Sequence, residues 1–380
     1  MKKKKKICWQ KAVPFAIYMI AGGICGVSAI NICETYLKEM NMVVFFAMFY
    51  ISLYVMIFMQ TVVHEVGHLV FGLLTGYGFS SFRIGSIMLI KQNGKLKIKR
   101  YKLAGTGGQC LMVPPALDEK GNMPYVLYNL GGALMNIICG VITLMIYIAV
   151  PQGIFGYILL CNTLMAFAIA LTNGIPLKLG LVNNDGHNAI SLGKDKNALH
   201  AFWQQLKINE ANSQNIRLKD MPKEWFEVPN DADLTNSLTA TIKVFNCSRL
   251  MDEHNFDEAK EEMKKLIYSD FAVLDIYKRL LVCDIAFCEM ISSNDKSQVE
   301  RLFDKQQKKL MRAMSKNPSV IRTLYAYSLL CEENEKNAER YLKSFEKVAS
   351  SYPYTREIEN ERELMAKADE AKKRYAGGEE

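Results

Sequence analysis

The strongest constraint on this chain is an apolar run from Met42 to about Leu74 that carries His64-Glu65-Val66-Gly67-His68 in its later half. About twenty apolar residues cross a bilayer, so a run this long reads as a membrane helix that tilts or protrudes. On a helix, positions i and i+4 share a face, and His64 and His68 can therefore present two imidazoles to one metal ion. Glu65 stands beside them and is suited to take a proton from an activated water. Ionisable side chains at bilayer depth are costly, which makes these residues functional candidates by default. The chain has only five histidines, so chance is a poor source of the pattern.

The 380 residues leave room for two or three domains. A mean hydropathy of zero averages two unlike halves. Residues 1–195 are dominated by long apolar runs, whereas 196–380 are rich in Lys, Glu, Asp and Arg at helical spacing. Residues 1–11 are basic and 13–33 apolar, which has the outline of a signal peptide. The run is too long for that, and Ile30 to Glu34 makes a poor cleavage site, so we read an uncleaved first span with its N-terminus inside. Glu34 to Asn41 is then a short outer loop, and Met42 to about Leu74 the second span. Pro124 to Val150 is the third span, Pro151 to Gly153 an outer turn, and Ile154 to about Ile175 the fourth. Lys2 to Lys6, Lys11 and the basic stretch 91–102 mark cytoplasmic segments and favour anionic lipid. This topology puts His64, Glu65 and His68 near the cytoplasmic end of their helix and the C-terminal half in the cytoplasm.

Between the second and third spans the pattern changes. Residues 82–90 alternate, Gln92-Asn93-Gly94 signals a tight turn, and Lys95 to Tyr101 alternates again, which predicts a β-hairpin. A third short strand is expected to end at Pro114-Pro115. Beyond the fourth span, 197–212 reads as an amphipathic helix and 213–233 as a linker. Amphipathic helices follow near 234–253, 256–270, 272–292, 296–316, 318–333 and 336–351, with a charged tail helix beyond Tyr354. The Ala, aromatic and Pro spacing from Cys331 to Pro353 resembles tetratricopeptide-type repeats. The expected fold is mainly α. A polytopic membrane helical core with a small β-hairpin insertion near 79–113 occupies 1–195, a juxtamembrane helix and linker 196–233, and a soluble helical-hairpin domain 234–380.

The net charge of +8 lies largely beside membrane segments, and no nucleic-acid motif accompanies it. The ten cysteines are scattered and form no C-x-x-C pair. Neither a disulfide framework nor a cysteine metal site is indicated, and a reducing cytoplasm suits the second half.

A catalytic zinc usually takes three protein ligands and one water. Phe71 and Leu74 stand where one soluble metalloprotease class needs Gly and His, which excludes that class. Three candidates remain for the third ligand: Glu119 in a Lys-rich loop, His187 after the fourth span, and Asp185 in Asn183-Asn184-Asp185-Gly186. Asp185 fits best. It is a hard carboxylate, the following Gly permits close backbone approach, and the topology returns it to the side where the His64–His68 motif ends.

Together, the His64–His68 motif in a membrane helix, Gly131-Gly132-Ala133-Leu134-Met135-Asn136 in the next span, and Asn173-Gly174-Ile175-Pro176 with Asn184-Asp185-Gly186 after the last resemble the site-2 protease family of intramembrane zinc metalloproteases. The resemblance covers roughly residues 42–195. It implies one Zn2+ held by His64, His68 and Asp185, Glu65 as general base, and Asn136 and Asn173 positioning the site or the substrate backbone. It also implies a bacterial cell membrane and membrane-tethered protein or peptide substrates. About four residues more than is usual for the family separate Pro176 from Asp185. The alternative is a non-catalytic membrane scaffold or receptor whose helical domain recruits cytoplasmic protein partners.

Overall fold

A computed structural model describes residues 9–36, 41–101, 106–150, 153–179 and 182–377. Lys2 to Lys6, and Pro151 and Gln152 of the expected outer turn, lie outside them. Two compact units emerge: Met1–Gly85 with Leu103–Lys196, and Ser86–Lys102 with Asn197–Glu380.

The first unit is built on α1 (Trp9–Tyr36), α2 (Met42–Leu74), α3 (Val126–Ala149) and α4 (Ile154–Gly174). All four are long and apolar enough to cross a membrane. The 33 residues of α2 span about 50 Å at 1.5 Å each, against about 30 Å of hydrocarbon. Asn41 starts α2 by accepting from the Val43 amide at 2.8 Å. Phe46, Tyr50 and Tyr54 on α2, and Ile142 and Ile148 on α3, are exposed and form an apolar exterior suited to lipid. Inside, Ala21 and Cys25 of α1 pack with Cys161, Met165 and Ala168 of α4. α2 and α3 cross at two glycines: a Cβ on Gly67 would lie 2.2 Å from the Gly131 carbonyl oxygen. No other side chain permits that approach.

Strand β1 (Gly78–Ile84) in this unit pairs antiparallel with β4 (Gly108–Val113), Phe82 opposite Cys110. β4 is the third strand expected before Pro114-Pro115. The alternating run 82–90 is not one strand, because Gly85 takes a left-handed φ of 57° and turns the chain. After α4, two short strands, β5 (Lys178–Leu179) and β6 (Val182–Asn183), lead to the short helix α5 (Asp185–Ser191).

The second unit contains the hairpin β2 (Ile87–Gln92) and β3 (Lys95–Arg100), registered Ile87 to Arg100 and Gln92 to Lys95. Asn93 and Gly94 have φ of 51° and 75°, the left-handed pair that a two-residue hairpin turn requires. Within the second unit this hairpin packs on the helices that follow 197. Met88 and Ile90 are buried in their core, Gln92 Nε2 donates to the Pro353 carbonyl at 2.8 Å, and Tyr101 meets Tyr352 and Tyr354 edge-on.

The helices are α6 (Lys196–Ser213), α7 (Ser237–Asp252), α8 (Phe256–Tyr268), α9 (Asp275–Ser292), α10 (Lys296–Leu302), α11 (Lys305–Ala313), α12 (Pro318–Ala326), α13 (Glu335–Ala349) and α14 (Thr355–Gly377). The single helix expected over 296–316 is split, because Asp304 caps α11 by accepting from the Gln307 amide. Within 213–233, Met221 and Phe226 are buried, and Gln204 Nε2 holds the Glu224 and Glu227 carbonyls at 3.0 and 2.8 Å. Helix lengths run from 7 residues in α10 to 23 in α14, less regular than a tetratricopeptide array. A buried Arg322 pairs with Glu361 at 2.9 Å and with Asp284, joining α9, α12 and α14.

Candidate active site

His64 and His68 lie one turn apart on α2, and Asp185 opens α5. Their donor atoms converge. Asp185 Oδ2 is 3.0 Å from His64 Nε2 and 3.5 Å from His68 Nε2, and the two Nε2 atoms are 3.2 Å apart. Zinc binds such donors tetrahedrally at about 2.0–2.1 Å, which spaces the donors about 3.3–3.4 Å from one another.

The hydrogen bonds behind the imidazoles support the same fit. His68 Nδ1 is 2.8 Å from the Tyr128 carbonyl, which can only accept. His64 Nδ1 is 2.8 Å from Asn136 Oδ1. The Asn136 nitrogen is committed to the Gln60 carbonyl at 2.9 Å and the Gln60 side-chain oxygen at 2.8 Å, so its oxygen must face His64. Both Nδ1 atoms therefore donate, and in neutral imidazoles each Nε2 is left with a bare lone pair. Two such lone pairs and a carboxylate oxygen facing one another repel unless a cation lies among them.

Small residues make this convergence possible. A Cβ on Gly132 would lie 2.4 Å from His64 Cε1, so Gly132 is the space the imidazole occupies. A Cβ on Gly186 would lie 2.1 Å from the Gly174 carbonyl oxygen, so the residue after Asp185 must be Gly for α5 to sit against the end of α4. Asn184 then fixes that junction. Its Nδ2 donates to the Thr172 and Ile175 carbonyls at 2.9 and 2.6 Å, and its Oδ1 accepts from the Leu177 and His187 amides at 2.9 Å each. The extra residues before Asp185 leave and return as the β5–β6 pair. The Asn184 amide donates to the Leu177 carbonyl at 3.1 Å, closing the excursion behind them.

Glu65 is buried beside the triad and makes no ion pair among the described residues. A Cβ on Gly108 would lie 2.5 Å from Glu65 Cγ, so the first residue of β4 packs directly on the glutamate. Asn136 sits against His64, whereas the Asn173 side chain turns back to the Ile169 carbonyl of its own helix at 3.0 Å. Of the other two candidates for third ligand, His187 Nδ1 faces Ser191 Oγ at 3.1 Å and Glu119 is exposed in its loop. Among the described residues, His64, His68 and Asp185 form the one group able to hold a metal. Sequence reading missed Gln60 and the Tyr128 carbonyl, and it named Asn184 in its motif without a role of its own. Gln60 had a legible signal, because it is a polar residue one turn before His64 in an apolar helix.

Two histidines on a membrane-capable helix, an aspartate able to complete a metal site with them, and a neighbouring glutamate are the donor set of a metalloprotease. The model of peptidase family M50 matches residues 49–350, and the chain belongs to that family, the site-2 proteases. No curated protein and no solved structure matches the chain.

Proposed function

We propose that this protein is an intramembrane zinc endopeptidase that cleaves membrane-associated polypeptides near the cytoplasmic face. The observation that carries the reading is the convergence of one carboxylate oxygen with two imidazole nitrogens whose ring protons are committed to outer acceptors. Zinc, when bound by His64, His68 and Asp185, supplies Lewis-acid activation of water and of the scissile carbonyl. Glu65 accepts a proton from the attacking water on a carboxylate oxygen and delivers it to the departing amide nitrogen as the C–N bond breaks. The Asn136 oxygen and the Tyr128 carbonyl hold the two imidazoles in register through this exchange.

The site also suits a substrate drawn from a membrane. Tyr128 and Asn136, which back the two histidines, lie about 3 and about 15 Å along α3 from its first residue. The residues that back the histidines therefore lie in the first half of α3, and Asp185 follows the end of α4, which leaves the site reachable from one end for a helical substrate that unwinds. β4 has β1 as its one strand partner among the described residues and begins against Glu65. An extended peptide laid along its open edge would pass the general base. The helices after 234 serve as a cytoplasmic binding module for a protein partner.

Cells carrying the wild type and Glu65→Gln test this reading. The variant is expected to retain zinc and to accumulate uncleaved membrane substrates. Identical membrane-protein profiles from two well-expressed proteins would refute proteolysis and favour a scaffold.

A further inference from the structure

We propose that Gln60 and Asn162 are positioning residues for zinc binding, the outer links of an amide relay that sets the tautomer and basicity of His64. The inference rests on the reading of His64 as a zinc ligand and extends it to two residues without a metal-facing atom.

Four side chains from three helices form one directed chain. Asn162 on α4 accepts from Gln60 Nε2 at 2.9 Å. Gln60 on α2 accepts from Asn136 Nδ2 at 2.8 Å. Asn136 on α3 accepts from His64 Nδ1 at 2.8 Å. Gln60 Nε2 also lies 3.3 Å from Cys139 Sγ, a weak acceptor. Gln60 and Asn136 are almost wholly buried. Every proton in this series points away from the metal side. A reversed amide at Gln60 would set its NH2 against that of Asn136 and its oxygen against that of Asn162. Asn136 Nδ2 also donates to the Gln60 backbone carbonyl, so the orientation is fixed from the Asn136 end.

The chemistry follows from direction. Each amide that donates outward becomes a better acceptor on its inner side, so successive hydrogen bonds reinforce one another. The last one draws on the Nδ1–H of His64 and raises the electron density of its Nε2 lone pair. Apolar helix surroundings leave these amides no water as a substitute partner. Such outer partners of a metal-ligating histidine are worth about 10–100-fold in metal affinity.

Helix packing alone would also explain interhelical amides, and the test must separate the two. Thr143 Oγ1 and Thr163 Oγ1 make a hydrogen bond of 2.8 Å between α3 and α4, outside the relay. Thr163→Val therefore serves as a packing control. The measurement is zinc affinity of the full-length protein in detergent, by competition with a chromogenic chelator, beside the melting temperature of the zinc-free protein. Gln60→Leu is expected to weaken zinc about 10–100-fold. Asn162→Leu should weaken it several-fold and Asn162→Asp, which keeps an accepting oxygen, should restore it. Thr163→Val should lower melting without changing zinc affinity. The relay is refuted if Asn162→Leu and Asn162→Asp bind zinc equally, or if Thr163→Val weakens zinc as much as Asn162→Leu at equal loss of melting temperature. The Asn162 pair decides the matter even where Gln60→Leu does not fold. A wild-type protein that binds no zinc would instead overturn the zinc-protease reading itself.

Discussion

Adding one methyl group at Gly132 should disable the site without touching any ligand. The new Cβ would stand 2.4 Å from His64 Cε1 and 2.6 Å from both ring nitrogens. Non-bonded carbon atoms settle at about 3.5–4.0 Å, so the ring must retreat by about 1 Å or more. Metal sites hold their ligand distances within about 0.2 Å, and a 1 Å misplacement at a reacting centre costs on the order of 100-fold in rate. Retreat would also stretch the 2.8 Å bond between His64 Nδ1 and Asn136 Oδ1. We expect Gly132→Ala to lower zinc affinity at least about tenfold and cleavage at least about 100-fold, in a protein that still inserts and purifies normally. The assay is zinc content by elemental analysis, followed by cleavage of a membrane substrate that Glu65→Gln leaves intact. Full zinc content with cleavage within about threefold of wild type would refute the packing argument, since it sets a tolerance far below the 100-fold expected.

Further outcomes follow from the same geometry. Gly23, in α1, has nothing near its Cβ direction, so Gly23→Ala should leave cleavage unchanged and hold or raise the melting temperature through its higher helix propensity. The Asn184 amide already bonds to the Leu177 carbonyl as a turn would, so replacing 178–183 with Asn-Gly should preserve zinc content; lost zinc would show that the β5–β6 excursion positions Asp185. In the second unit, burial and the neighbouring Glu361 push the Glu357 carboxyl up to about 7, against a hydrogen bond from Tyr352. The fold thus favours the protonated acid, and this contribution is full below about pH 4.5 and lost as pH rises through 7. Glu357→Gln should be near neutral at pH 5 and stabilising at pH 8, by on the order of 1–3 kcal/mol. Equal melting shifts at both pH values would count against the raised acid.

The sequence marked the candidate ligands more readily than the residues around them. His64 and His68 were legible because helical spacing alone puts them on one face. Asp185 required both its hard oxygen and the return of the chain after four spans. Gly131 and Gly132 read as small residues for close packing, and each makes room for one specific neighbour, the Gly67 backbone and the His64 ring. The roles of Gln60 and Asn162 were not legible, since a single amide in an apolar run does not name its partner on another helix. Asn173 stood next to the right chemistry, but its side chain satisfies its own helix, and Asn184 makes the bonds that hold Asp185. Alternation correctly gave the 87–100 hairpin two faces. It could not say that Met88 and Ile90 would be covered by helices more than a hundred residues later, because that contact depends on tertiary packing. The break at Phe303-Asp304 was marked locally by Asp304 three residues before Gln307, a capping pattern overridden by the longer apolar period.

The central claim is that His64, His68 and Asp185 hold one metal ion while Glu65 does not. Zinc affinity of purified wild type, Glu65→Gln and Asp185→Ala tests it most directly. Wild type and Glu65→Gln should each bind one zinc ion per chain with similar affinity, and Asp185→Ala should bind at least about tenfold more weakly. Wild-type zinc affinity in Asp185→Ala would contradict the account and send the search for the third ligand elsewhere.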